Sequence, residues 1–317
     1  MPLFFSDMNS KVKGYIFGVL AAATYGMNPL FALPLYDEGL NANSVLLLRY
    51  FAALPILWAM IAMRGRSLKL RRCEIVPLVA LGLMMGLSSY GLFASYTYMD
   101  AGVASTLLFV YPLMVALMMA VIYHERLSAQ TLVCLTVALC GIWLLSRNSA
   151  GVTLSAAGIG WVAVSALSYA IYIVAVNRIP AMRGMPTLKL TFYVLLFGLT
   201  IFASKALADN SLQLPSSPGS WACVGALALL PTALSLTLTT VAIQYIGSTP
   251  TAILGVFEPV TAVIFGITVF GETLTERQTV GLVLVLAAVT VVVAGGNLTH
   301  QLIRLKKMFP SLRIGKK

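Results

Sequence analysis

Charge is what this sequence has least of. Only 10% of its 317 residues are Asp, Glu, Lys or Arg, against roughly 25% in an ordinary soluble domain. Hydrophobic residues make up 59% and mean hydropathy is +0.92. A water-soluble fold of this length needs a polar skin that such a composition cannot supply. Acid is scarcer than base, with 10 Asp and Glu against 21 Lys and Arg. Cysteine is rare too. Cys73, Cys134, Cys140 and Cys223 show no paired or metal-ligand spacing, and read as buried free thiols filling apolar space. The two histidines, His124 and His300, stand at the ends of apolar runs. No HExxH, GxSxG or GxxxxGK[ST] occurs, so an intramembrane hydrolase and an ATP-driven pump are disfavoured, and no metal or cofactor is expected.

What is present is long apolar sequence. Ten runs of spanning length fall at roughly 14–35, 44–63, 75–98, 102–123, 128–146, 157–177, 187–208, 219–243, 249–270 and 276–296. Short polar breaks separate them, such as Asp37-Glu38-Gly39, Arg64-Gly65-Arg66 and Asp209-Asn210. The 8–9 break is almost without charge, Gly247-Ser248-Thr249-Pro250. The first run is longer than a signal-peptide core and is followed by further spans, so it reads as a retained helix. The fold class is an all-α polytopic membrane protein with ten transmembrane helices.

The basic residues orient it. With the N-terminus inside, seventeen Lys and Arg fall on inner segments and three (Arg147, Lys205 and Arg277) on outer ones. The positive-inside rule then places both termini in the cytoplasm of a cell (inner) membrane. A basic tail, Arg304 to Lys317, rests on anionic lipid. The excess of base is thus explained by membrane lipid, and nucleic acid is not a partner.

The two halves are related. A shift of 147 residues carries Leu107, Pro112, Glu125 and Leu127 onto Leu254, Pro259, Glu272 and Leu274, and Ser88 onto Ser235. A shift of 144 carries Gly14, Ala22 and Tyr25 onto Gly158, Ala166 and Tyr169. Each half (14–146 and 157–296) holds five spans, flanked by an N-terminal segment 1–13 and the tail 297–317. Five is odd, so the second half enters the membrane from the opposite side. Inverted five-helix repeats place a substrate site near the midplane between them.

The chain resembles the EamA-type carriers of the drug/metabolite transporter superfamily. The carrying segments are Leu47-Leu48-Arg49-Tyr50-Phe51, Tyr111-Pro112-Leu113 through His124-Glu125-Arg126-Leu127-Ser128, and Glu258-Pro259-Val260 through Gly271-Glu272-Thr273-Leu274-Thr275. His124 stands where the family usually has glycine. The resemblance implies a secondary carrier that exports or facilitates small organic metabolites, such as amino acids or drug-like compounds, by alternating access. A non-transporting membrane partner, or a flippase for lipid-linked sugars, is the alternative in the same superfamily.

Glu258 is the most informative residue. It lies nine positions into its span, roughly 14 Å deep, where an ionisable group is costly unless it faces a cavity or a partner. Thr251, Gly255 and Ala262 share its face, and Pro259 leaves the Gly255 carbonyl without its helical donor. Glu258 either lines a transport path, with protons as a further candidate partner, or bonds a neighbouring helix. Arg49 either meets an acid or an anionic substrate group or snorkels to the outer interface, the latter favoured. Asn28-Pro29 interrupts the first span, and Pro29 and Pro112 join Gly255 and Pro259 as candidate kink or gating positions. Tyr111, Tyr169 and Tyr172, together with Tyr25, are candidates to wall a central cavity. The stripes Gly82, Gly86, Ser89 and Thr232, Ser235, Thr239 read as helix packing. Glu125 and Glu272 read as caps for the following helix. Reporter fusions after Asn148 and after Asp209 should both report an external location; a cytoplasmic signal at either breaks the span assignment.

Overall fold

The computed structural model describes residues 2–98, 101–125, 129–146, 155–270 and parts of 276–287. The described residues are helical throughout, in the order α1 (Pro2–Tyr25), α2 (Asn28–Asp37), α3 (Ala42–Met63), α4 (Arg72–Ser95), α5 (Ala101–Leu108), α6 (Tyr111–Val121), α7 (Ala129–Ser146), α8 (Ala156–Arg178), α9 (Pro180–Arg183), α10 (Thr187–Asp209), α11 (Pro218–Leu227), a π-helical segment (Ala228–Leu234), α12 (Ser235–Ile246), α13 (Ser248–Leu254) and α14 (Phe257–Phe270). Among them six continuous stretches are long and apolar enough to cross a membrane. The expected spans at 102–123 and 249–270 are each split into two short helices, α5–α6 and α13–α14. The expected tenth span and the basic tail lie mostly outside the described residues.

Local chemistry sets the boundaries. Asn41 caps α3 by accepting the Ser44 N–H at 2.8 Å, and Ser217 caps α11 by accepting that of Ser220 at 3.1 Å. Asn210 closes α10 in the left-handed conformation, φ 45°. Pro29 and Pro112 each sit in the first turn of a new helix, where a missing N–H costs nothing. Pro231 is accommodated differently. It cannot donate to the Leu227 carbonyl, so the helix widens to π geometry and the Thr232 hydroxyl supplies that bond at 2.6 Å.

Outward faces carry Phe51, Trp58, Val76, Leu117 and Val121, all exposed; that surface suits lipid rather than water. Polar side chains turn inward instead, including Asn28, Arg49, Ser88, Ser165 and Thr240. Two cysteines correct the expectation of burial: Cys73 and Cys140 are exposed, and Cys223 is intermediate. In a bilayer an apolar-facing thiol needs no burial, so hydropathy alone does not separate core from lipid face.

Helix crossings are close because small residues line them. Gly82 and Gly86 of α4 pack on Gly198 of α10, and a Cβ added at Gly82 would lie 2.5 Å from that of Phe197. The contacts also reproduce the repeat. The Ser165 hydroxyl of α8 donates to the Ser88 carbonyl of α4 at 2.7 Å, and the Ser235 hydroxyl of α12 donates to the Ala21 carbonyl of α1 at 2.8 Å. Shifting 88 by 147 gives 235, and shifting 21 by 144 gives 165. The two contacts therefore join corresponding pairs of positions with the halves exchanged, although the donor comes from the opposite member of the pair. A pseudo-two-fold axis relates them.

Gly82→Val should destabilise the purified protein by roughly 1–3 kcal/mol through overpacking. Gly160→Val, where nothing lies within 4 Å of an added Cβ, should leave the thermal midpoint nearly unchanged.

Candidate functional site

Three helix breaks converge at the centre. The first is Gly26-Met27 between α1 and α2, the second Phe109-Val110 between α5 and α6, the third Gly255-Val256 between α13 and α14. Backbone groups at the breaks are paired locally: the Gly26 N–H donates to Ala22, that of Leu113 to Val110, and that of Glu258 to the Gly255 carbonyl at 2.9 Å. This corrects the expectation that Pro259 leaves the Gly255 carbonyl free as a ligand. The carbonyl is taken up by the first turn of α14.

Glu258, the second residue of α14, is partly buried and lines two small cavities. The larger, of about 20 Å³, is also bounded by Tyr25, Asn28, Pro29, Tyr96 and Ser105. The smaller, of about 10 Å³, is bounded by Tyr111, Tyr169, Thr239, Thr251 and Gly255. Each has room for about one water molecule and for nothing larger in this conformation. The first break packs directly on this acid: a Cβ at Gly26 would meet the Glu258 carbonyl oxygen at 2.3 Å.

Tyr111, the first residue of α6, donates its hydroxyl to Glu258 Oε1 at 3.4 Å. Its ring crosses that of Tyr169 at 4.8 Å, and Tyr169 stacks on Tyr25 at 6.2 Å with the rings 9° apart. These pairs are repeat mates: 111 and 258 differ by 147, and 25 and 169 by 144. A residue that touches its own mate lies on the axis relating the halves. The site is therefore built on the axis itself. Tyr172 corrects an expectation, because it stacks behind Tyr169 at 6.2 Å and lines neither cavity. Pro112 and Pro259 are buried beside their breaks and line neither cavity.

Arg49 corrects another. It does not snorkel; it is 0% exposed in the middle of the bundle. Nη1 donates to Asn28 Oδ1 at 2.8 Å, and the guanidinium carbon lies 5.0 Å from the Phe93 ring centre and 5.6 Å from that of Tyr50. Tyr50 in turn shares a 2.7 Å hydrogen bond with Ser89. Glu125, expected to cap the following helix, pairs its carboxylate with Arg178 at the end of α8, and Arg178 also covers the Tyr123 ring; residues 126–128, which lead into that helix, lie outside the described residues. Glu272 lies outside the described residues. At another corner, hydrogen bonds from the Ser220 and Ser217 hydroxyls hold the Glu38 carboxyl below its ordinary pKa.

Sequence reasoning missed Gly26, Tyr96 and Ser105. Thr239 stood in a stripe assigned to packing. It lines the smaller cavity, while its stripe partner Ser235 does pack, on α1.

The model of the EamA-like transporter family matches residues 12–147 and again 156–294. The chain belongs to the EamA-like transporter family. A protein of Archaeoglobus fulgidus described as an uncharacterized transporter is 31% identical over 214 residues, covering 66% of this chain and 75% of the relative. A protein of known crystal structure superposes with a TM-score of 0.76 over 88% of this chain and 95% of its own, at 17% identity. The latter likeness shows the shared fold alone. The EamA chain is thus a multi-pass membrane transporter, with each half matched separately by the family.

Gly255→Ala should disturb the site most directly, since the new Cβ would fall 1.6 Å from the Tyr111 hydroxyl oxygen. Thermal unfolding should show a clear loss, partly recovered in Gly255→Ala/Tyr111→Phe, where the clashing oxygen is gone. Strict additivity of the two changes would show that the residues do not meet.

Proposed function

We propose that this transporter is a secondary carrier for small organic metabolites, amino acids or drug-like compounds among them, working by alternating access. The observation that carries this reading is the contact between Tyr111 and Glu258. Two repeat mates, each at the start of the second half of a broken helix, meet on the pseudo-two-fold axis. Broken helices let half of a span tilt while the other half holds, and exchanging the tilt between the halves would open the site first to one side and then to the other. The chain lies in the cell (inner) membrane with both termini cytoplasmic, as the distribution of Lys and Arg favours.

In this reading Glu258, Asn28, Tyr111 and Tyr169 contact the cargo, and Tyr172 supports Tyr169 from behind. Gly26 lets the first break approach the Glu258 backbone, and Gly255 leaves room for the Tyr111 hydroxyl. Glu258 is the ionisable group on the axis, so a proton carried through the cycle would ride on it. A non-transporting role would leave an intramembrane acid facing a cavity with nothing to do, at a substantial energetic cost.

Glu258→Gln keeps the shape and most of the hydrogen bonding while removing the charge. It should accumulate normally in the membrane, transport at least tenfold more slowly in proteoliposomes, and lose any pH dependence shown by the parent. Tyr111→Phe should have a smaller effect in the same direction. Normal transport by Glu258→Gln at every pH, or failure of that variant to accumulate, would overturn the assignment.

A further inference from the structure

A buried guanidinium requires acceptors for its donors, and Arg49 has too few. Nη1 is satisfied by Asn28, but Nε and Nη2 are buried without a hydrogen-bond partner among the described residues. Asn28 Nδ2 is also buried and unpartnered. The orientation of that amide is set by Arg49, because Oδ1 is the atom that accepts the guanidinium. The Tyr96 hydroxyl, beside Ser105 on the wall of the same cavity as Asn28, is a further buried donor. No carboxylate lies within 4.0 Å of Arg49 among the described residues. The Phe93 and Tyr50 rings beside it offer weak cation–π stabilisation but no lone pairs. Donors are clustered here, and acceptors are missing.

We propose that Arg49, Asn28 and Tyr96 form an anion-binding subsite that receives a carboxylate of the transported cargo. This rests on the carrier reading above and adds the chemical class of group that the site recognises. A planar carboxylate matches the fork of a guanidinium and accepts from two of its nitrogens at once. Its remaining lone pairs can take the Asn28 amide and the Tyr96 hydroxyl. One carboxylate also neutralises one guanidinium. A phosphate dianion would leave excess negative charge in a cavity that Glu258 also lines. The positions suit delivery from the path: Asn28 opens α2 immediately after the first break, faces the larger cavity, and holds Arg49 directly behind it. Opening of the α1–α2 break would bring the guanidinium to the cavity edge.

The test uses the full chain in proteoliposomes loaded with the small-molecule fraction of a cell extract, with released compounds identified by mass spectrometry. Compounds leaving faster than from protein-free vesicles should carry a carboxylate, and their primary amides, loaded in place of the acids, should leave at least tenfold more slowly. Arg49→Lys, which loses the planar fork, should slow release of the acids at least tenfold. Asn28→Asp is the more telling variant. Its new carboxylate would occupy the donors and repel the cargo, so transport should fall at least tenfold while the thermal midpoint is kept or raised. A purely structural Arg49 predicts a raised midpoint with transport intact. Release of compounds that lack a carboxylate, equal release of acids and amides, or normal transport by both variants overturns the subsite and leaves the carrier reading standing. If neither variant folds, the comparison of acids with amides on the parent protein still decides. If nothing leaves faster than from empty vesicles, the carrier reading itself fails, and the subsite with it.

Discussion

A helix that stops inside a bilayer must find partners for its freed backbone groups within the protein, because lipid offers none. The rest of this structure depends on how three breaks meet that demand in one place. Each closes its own hydrogen bonds through a tight turn, at Ala22–Gly26, Val110–Leu113 and Gly255–Glu258. Each also lies against another element of the centre. Gly26 abuts the Glu258 backbone, and Gly255 lies under the Tyr111 hydroxyl. The three breaks are thereby gathered at the axis, where α4, α8 and α12 help to wall the two cavities.

That arrangement also explains the side chains. An acid or a guanidinium is tolerable at depth only where dipoles, hydroxyls or aromatic faces surround it. Glu258 has the Tyr111 hydroxyl, and Arg49 has Asn28 with the Phe93 and Tyr50 rings. Outside the centre, polar contacts serve assembly. Lys189 reaches Glu74 at 3.2 Å and the Lys69 carbonyl at 2.6 Å, tying the loop before α4 to the start of α10. The exposed pair Lys205–Asp209 contributes little, and the glycine and serine crossings bring the helices together.

Much of this was legible in the residues. The offsets of 147 and 144 identified mates such as Tyr111 and Glu258 before any distance was known, because a repeat leaves its register in the order of prolines, tyrosines and acids. Asn28-Pro29 marked a break for the same reason that proline marks one anywhere. Arg49 was misread because its partner, Asn28, stands 21 residues away on another helix, and hydropathy cannot say which way a long cationic side chain turns. The π-helical segment around Pro231 was missed since its signal, a hydroxyl one residue after the proline, looks like ordinary packing polarity. Gly255 was read as a hinge, but the structure gives it a second duty: leaving space for a ring contributed by the other half.

Tyr111 and Glu258 meet on the axis without being identical, unlike Tyr25 and Tyr169, and in the alternating-access reading that has a thermodynamic consequence. Were both positions tyrosine, this contact would be unchanged by exchange of the halves and would favour neither conformation. One acid facing one phenol removes that degeneracy. In that reading the contact biases the resting conformation toward the side that gives Glu258 the better solvation, and a bias of about 1.4 kcal/mol would already be tenfold in population.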